Sequence, residues 1–177
     1  MNIGCDFIEL FYEPNDEIKS LVDSLTEETW LANQFRQKTF EVHKETNSVV
    51  YIWSWNGYDN LDIQRKPSDD RLSQLVYDYA NKIKSYFKES SIVTKLMLAK
   101  MPAGSRISGH YDLGDLADIR RCHYVVKTND QCVFTINDTP YNFAEGAAVE
   151  INNQAFHAVE NYGTTDRVHL ICDILER

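Results

Sequence analysis

Residues 109–112 read Gly-His-Tyr-Asp. On an extended backbone side chains alternate with a period of two, so His110 and Asp112 project to the same side. A neutral imidazole and a carboxylate placed that way can occupy adjacent positions on one metal ion. The His-x-Asp spacing alone arises by chance in roughly one such sequence in three, and by itself it equally describes a surface histidine beside a turn aspartate. A second imidazole, His157, stands in the apolar run Phe156-His157-Ala158-Val159. Two histidines and one carboxylate form a facial triad that leaves three corners of an octahedron open, an arrangement suited to iron(II) that must bind a bidentate co-substrate and dioxygen together. The expected metal ligands and catalytic centre are therefore His110, Asp112 and His157.

Ten residues beyond His157, across the turn Tyr162-Gly163-Thr164-Thr165, Arg167 heads the last apolar run. If the two runs are consecutive antiparallel strands, both residues fall on neighbouring positions of one barrel interior. An arginine aimed into such an interior needs an anion, because a buried unpaired charge costs several kcal/mol. The distal carboxylate of 2-oxoglutarate would meet that need through a bidentate pair; an ordinary salt bridge is the alternative. His169 shares the inward face with Arg167 and Ile171, either helping to hold the same carboxylate or packing as a satisfied core histidine. His43, in the polar stretch Val42-His43-Lys44-Glu45, is expected to face solvent.

The elements that must position these groups change character along the chain. The first ninety residues read mostly helical. Asn15 or Asp16 can cap a helix carrying Ile18, Leu21, Val22 and Leu25 on one face. A weaker helix after Thr26 would carry Trp30, Leu31 and Phe35. Residues 48–55 are β-branched and aromatic, a strand on which Tyr51, Trp53 and Trp55 would share a face. Pro67-Ser68-Asp69-Asp70 opens a further helix with an apolar stripe from Leu72 through Leu75, Val76, Tyr79 and Ile83 to Phe87. From Ser91 onward the texture is short strands separated by turns, at 93–101, 122–127, 131–136, 147–151, 157–161 and 167–175. Strands at such close spacing suggest a sandwich, jelly roll or barrel.

Bulk properties narrow the function classes. The 177 residues suit one domain with a sizeable core. Hydrophobic residues make up 43% and charged residues 25%, too apolar for a disordered chain. A net charge of −9 opposes binding to nucleic-acid phosphates or to an anionic membrane. No apolar run is long enough to span a bilayer, and the N-terminus lacks the features of a signal peptide, so a cytoplasmic location is the expectation. The cysteines, at 5, 122, 132 and 172, form no C-x-x-C pair, which argues against thiolate zinc and leaves small buried residues as their role. A small amino acid or a peptide remains as the substrate class.

The stretch from about Leu96 to Leu175 resembles the aspartyl/asparaginyl β-hydroxylase family of 2-oxoglutarate oxygenases. The resemblance rests on Met101-Pro102-Ala103-Gly104-Ser105, Gly109-His110, Arg121-Cys122-His123, Glu145-Gly146, Phe156-His157-Ala158-Val159-Glu160-Asn161 and Asp166-Arg167-Val168-His169-Leu170. The first ninety residues carry no part of it. It implies an α+β chain: a double-stranded β-helix (a cupin-like jelly roll) over residues 91–177, with residues 1–90 as mainly helical support packed on it in one domain. It also implies Fe(II) held by His110 and His157, 2-oxoglutarate held by Arg167, and Arg121 with His123 in the co-substrate pocket. Arg120, out of phase, is expected to be a solvated surface charge. Familiar animal members lack a carboxylate ligand; here Asp112 fills that corner, as in relatives that hydroxylate free amino acids, including proline hydroxylases. The activity implied is hydroxylation of an amino-acid or peptidyl side chain, of Asp/Asn or Pro type. A cupin-like metalloenzyme without oxygenase activity and a non-catalytic jelly-roll binding module are the rival readings, separated by iron-dependent release of succinate. Tyr51, Trp53, Trp55 and Tyr58 would either wall the substrate mouth or pack in the core.

Overall fold

The computed structural model describes residues 2–54 and 63–177. In chain order these form strand β1 (Phe7–Tyr12), helices α1 (Asp16–Asp23), α2 (Glu27–Leu31) and α3 (Phe35–Thr39), strands β2 (Asn47–Ser54) and β3 (Ile63–Arg65), and helix α4 (Arg71–Lys84). Eight strands follow: β4 (Ile92–Met101), β5 (Arg106–His110), β6 (Ile119–Lys127), β7 (Cys132–Ile136), β8 (Thr139–Tyr141), β9 (Ala147–Ile151), β10 (His157–Asn161) and β11 (Arg167–Leu175).

The strands make two antiparallel sheets. The larger has the order β1-β9-β6-β11-β4-β2-β3 and the smaller β5-β10-β7-β8. Laid face to face they form the jelly roll; α1, α2 and α4 cover the outer face of the large sheet, while α3 lies on the inner side, with Phe35 against Trp53. The central strand β11 is therefore covered on both sides, and all nine of its residues are buried. Its alternation sorts the chemistry. Val168, Leu170, Cys172 and Ile174 join the helix-side core with Leu75, Val76 and Ile83 of α4, whereas Arg167, His169, Ile171 and Asp173 face the small sheet. The interior between the sheets is closed by Met101, Val149 and Ile151 from one side and Ile107, Phe134, Ile136 and Val159 from the other.

The helices form where their caps are supplied. Asn15 Oδ1 accepts from the backbone N–H groups of Glu17 and Ile18 at 2.9 and 3.1 Å, and Asp70 accepts from Ser73 N–H at 2.8 Å. The apolar stripe of α4 is buried as its spacing demands. Each fully buried aliphatic on it contributes about 1.5–3 kcal/mol over leaving it in water.

Several expectations fail here for identifiable reasons. The first ninety residues are not simply helical support, because β1 pairs with β9 at one edge of the large sheet and β2 pairs with β4 near the other. The helix expected after Thr26 is broken in two at residues 32–34. Tyr51 and Trp53 do not share a face. A bulge between Val50 and Ile52 in the pairing with β4 resets the alternation, so Tyr51 enters the helix-side core while Trp53 packs with Met97, Ala99 and Ile171. Trp55, Tyr58 and the loop expected around them lie outside the described residues. Arg120 is no free surface charge: it pairs with Glu150 at 3.1 Å and Glu176 at 3.0 Å, and Glu150 is buried. Among the described residues, no helix is long and apolar enough to cross a membrane.

Candidate metal centre

His110 ends β5 and His157 begins β10, and the antiparallel register sets the two directly opposite one another. Their rings stand 4.3 Å apart between centroids. Each histidine uses the same local device to orient its ring, with Nδ1–H donating to the carbonyl two residues back: Ser108 O at 2.8 Å for His110 and Ala155 O at 2.9 Å for His157. That fixes both tautomers and leaves both Nε2 atoms as acceptors. Burial lowers the pKa of His157, which keeps its imidazole neutral.

Asp112 lies just past the end of β5. Its backbone N–H donates to Asn153 O at 3.0 Å, and the buried Asn153 amide in turn donates to Leu116 O at 2.7 Å and Ile119 O at 3.3 Å. The segment after β5 is thereby tied down despite having no strand partner there. Asp112 Oδ1 comes within 4.0 Å of His110 Nε2, and one ligand atom from each of His110, Asp112 and His157 lies within 4.8 Å of the others. A Cβ at position 109 would fall 2.1 Å from the tip of the partly exposed Phe156 ring, so a larger residue there requires that ring to swing aside. The donor set of two imidazole nitrogens and one carboxylate oxygen, without thiolate, fits a divalent transition metal with open coordination positions.

Arg121 faces the same cavity, as its phase with His123 on β6 requires, but its guanidinium is already committed. Nε and Nη2 donate to the two oxygens of Asp173 at 2.8 Å each, and Nη1 donates to Asp112 Oδ2. Burial works against the Arg121 charge, yet Asp112 and Asp173 outweigh it and raise its pKa. Asp173 is wholly inaccessible; burial opposes its ionisation, and Arg121 overcomes that and holds its pKa below the ordinary carboxylate range. The result for Asp112 is geometric. Oδ2 is held by Arg121, so Oδ1 is the oxygen left to face the histidines.

Arg167 stands deeper in the same cavity, 4% exposed. It does not sit beside His157 on adjacent strands: β10 belongs to the small sheet and β11 to the large one, so the two residues face each other across the sandwich. No carboxylate among the described residues pairs with Arg167. Its guanidinium donates to His169 Nδ1 at 2.9 Å, touches Met101 Sδ at 3.4 Å and lies 5.7 Å from the Phe134 ring centroid. Burial draws its pKa down to about 10. Arginine has no acceptor, so His169 Nδ1 must accept, and His123 Nδ1 at 3.3 Å must then be a donor to the same atom. His123 Nε2 is left as a buried acceptor without a partner among the described residues. Burial first, and then the Arg167 charge, hold both histidines neutral.

Two residues of the cavity wall escaped the sequence reading. His43 is half-buried rather than solvent-facing; its ring meets His110 edge-on at 5.8 Å, and Nε2 accepts from Arg36 Nη2 at 3.1 Å. Arg36, from α3, is 8% exposed and lines the cavity alongside His110, Arg121 and Arg167. A helix this short, with no apolar stripe, gives no sequence signal that its arginine points inward.

Comparison with known proteins follows this geometry. No curated protein sequence matches the chain. Among solved structures, a 2-oxoglutarate–iron(II) oxygenase family oxidoreductase from Burkholderia pseudomallei is 12% identical, with 96% of each chain covered and a TM-score of 0.59. A viral collagen prolyl hydroxylase from Paramecium Bursaria Chlorella virus-1, solved with 2-oxoglutarate, is 10% identical over 98% of both chains with a TM-score of 0.58. A prolyl-4-hydroxylase from Pseudomonas putida is 12% identical, covering 97% of this chain and 93% of its own, with a TM-score of 0.59. At these identities the likeness is one of fold, and it is the jelly-roll fold that the resemblance implied, one of the three architectures the strand pattern allowed. The model of the aspartyl/asparaginyl beta-hydroxylase family matches residues 16–177. The match reaches back through the helices and β2, well beyond the C-terminal stretch in which the resemblance was legible. This chain belongs to the aspartyl/asparaginyl β-hydroxylase family.

Proposed function

We propose that this chain is an Fe(II)- and 2-oxoglutarate-dependent dioxygenase that hydroxylates an amino-acid or peptidyl side chain, of Asp/Asn or Pro type, and that residues 1–177 act as one domain. In this reading His110, Asp112 and His157 hold the metal, and Arg167 pairs with the C5 carboxylate of 2-oxoglutarate. The observation that carries it is Arg167 itself: a buried guanidinium with no carboxylate partner among the described residues, facing the triad across one cavity. A buried cation left so is costly unless an anion arrives to pair with it.

With iron bound, oxidative decarboxylation of 2-oxoglutarate to succinate and carbon dioxide supplies the oxidising power for hydroxylation. The chain's own groups do the rest. The backbone carbonyls of Ser108 and Ala155 hold the two imidazoles with Nε2 aimed at the metal position, and Arg121 presents Asp112 by one oxygen. His123 and His169 remain neutral beside Arg167 and line the co-substrate's distal end. Only about 30 Å³ lies free between these side chains, room for about one water, so the diacid enters by parting Arg167 from His169 and exchanging that bond for a two-pronged one to carboxylate. Cys122, Cys132 and Cys172 are buried free thiols, which supports a cytoplasmic location for the protein.

Succinate release from 2-oxoglutarate tests the reading. The wild-type protein should release succinate only with Fe(II) and oxygen, and hydroxylated product should appear with at least one member of a panel of amino acids and peptides. His110→Ala, Asp112→Ala and His157→Ala should each abolish turnover and weaken metal binding while circular dichroism stays native. Turnover that survives all three substitutions would sink the assignment.

A further inference from the structure

The cavity holds a second buried cation that the co-substrate does not use. Arg36 Nη1 has no hydrogen-bond partner among the described residues, although the residue is 8% exposed. Its other amine donates to His43, which meets the His110 ring. Arg36 also lines a neighbouring cavity of about 220 Å³ with Asn33, Phe35, Trp53, Gln64 and Lys66. This one side chain is therefore shared by the metal cavity and a roomier chamber beside it. Burial first, and then the charge of Arg121, pull its pKa down to about 9.

The balance of charge around the centre points the same way. Arg36, Arg121, Arg167 and Lys95 bring four cations toward it, and Asp112 and Asp173 are the carboxylates among them. Arg121 and Lys95 are matched by those two, Lys95 lying 4.0 Å from Asp173. A divalent metal adds two positive charges, and the two carboxylates of 2-oxoglutarate offset two, one of them at Arg167. The positive charges then exceed the negative by two, and among the described residues no carboxylate pairs with Arg36, which stands on the metal side of a chamber the size of one amino acid.

We infer that Arg36 binds a carboxylate of the substrate, with the rest of the substrate lodged in the adjoining chamber, against the paired rings of Phe35 and Trp53. The assignment rests on the oxygenase reading above and deepens it by naming the substrate's anchoring group. That group could be the α-carboxylate of a free amino acid or the side-chain carboxylate of an acidic peptide residue. Both present the same planar pair of oxygens to Nη1.

The test uses the protein loaded with Mn(II) and 2-oxoglutarate, with paramagnetic relaxation of probe protons as the readout. Probes are the free L-amino acids, their α-carboxamides, and N-acetylated aspartyl and glutamyl amides beside their asparaginyl and glutaminyl counterparts. At least one carboxylate probe should bind, and its amide should bind at least 30-fold more weakly. Relaxation by a free amino acid identifies the α-carboxylate source, and relaxation by a blocked acidic residue identifies the side chain. Arg36→Leu should bring the acid down to the level of the amide, and Arg36→Lys should restore part of the difference. Calorimetry should give 2-oxoglutarate affinities for both variants within about threefold of wild type. Equal binding of an acid and its amide, no relaxation of any acid, or undiminished binding by Arg36→Leu overturns the assignment. Failure of the wild type to bind 2-oxoglutarate would instead remove the oxygenase reading and this assignment with it.

Discussion

Replacing Arg167 by methionine should strengthen the empty protein and abolish its response to 2-oxoglutarate. Arg167 is 4% exposed, and its pKa falls from 12.5 to about 10 on burial. At 1.36 kcal/mol per pKa unit, carrying that charge costs the fold about 3 kcal/mol. For a base whose pKa is lowered in the fold, the penalty is present in full below the folded value. It fades only as pH rises through about 10, so it operates at neutral pH. Methionine fills similar space and removes the penalty, but it forfeits the bond to His169 and the contact with the Phe134 ring, the latter worth about 0.5–1 kcal/mol. The net expectation is a gain of about 1–2 kcal/mol, or roughly 2–8 °C in Tm for a chain of this length. Co-substrate at 100 times its Kd should stabilise the wild type by about 2.7 kcal/mol. A variant binding it at least 30-fold more weakly should gain less than about 1 kcal/mol under the same conditions. Urea unfolding with Mn(II), with and without 2-oxoglutarate, measures all four stabilities. The reasoning is refuted if empty Arg167→Met is less stable than wild type and 2-oxoglutarate stabilises both proteins equally.

Asp173→Asn should cost about 3–5 kcal/mol in urea unfolding, because Arg121 and Lys95 lose the buried carboxylate they share. Metal affinity, read by calorimetry, should fall about 10–100-fold as Arg121 no longer holds Asp112 in place. An undisturbed metal affinity would show that Asp112 needs no such support. Gly146 has φ +89° and its Cβ position lies 2.5 Å from the backbone nitrogen of Pro14, whereas Gly104 has φ +75° with nothing within 4 Å. Gly104→Ala should therefore lose only about 1–2 kcal/mol for its left-handed backbone. Gly146→Ala should lose clearly more, since backbone must move as well, and equal losses in thermal melts would contradict the crowding argument.

What the sequence determined by itself was local and periodic. His110 and Asp112 converge because they are two residues apart on an extended segment, and Arg121 with His123, and Arg167 with His169, keep phase for the same reason. The stripe of α4 and the caps at Asn15 and Asp70 follow equally from spacing and from the need to satisfy the first N–H groups of a helix. Tertiary structure decided the rest. Phe7–Tyr12 carries apolar residues at 7, 8, 10 and 11, a pattern that serves a helix as well as a strand, and only its pairing with β9 makes it β1. One bulge separated Tyr51 from Trp53, and the assignment of β10 and β11 to different sheets put His157 and Arg167 across the interior instead of side by side. His43 and Arg36 lie in short segments without periodicity, and they became part of the cavity because the chain between α3 and β2 is folded against β5. Partners in charge were equally out of reach, since Arg121 could be matched to Asp112 and Asp173 only once the segment after β5 had folded back and β6 had paired with β11, 52 residues away at Asp173. Alternation tells which way a side chain points along its own strand; which charges it meets there depends on long-range pairing, and no local pattern carries that.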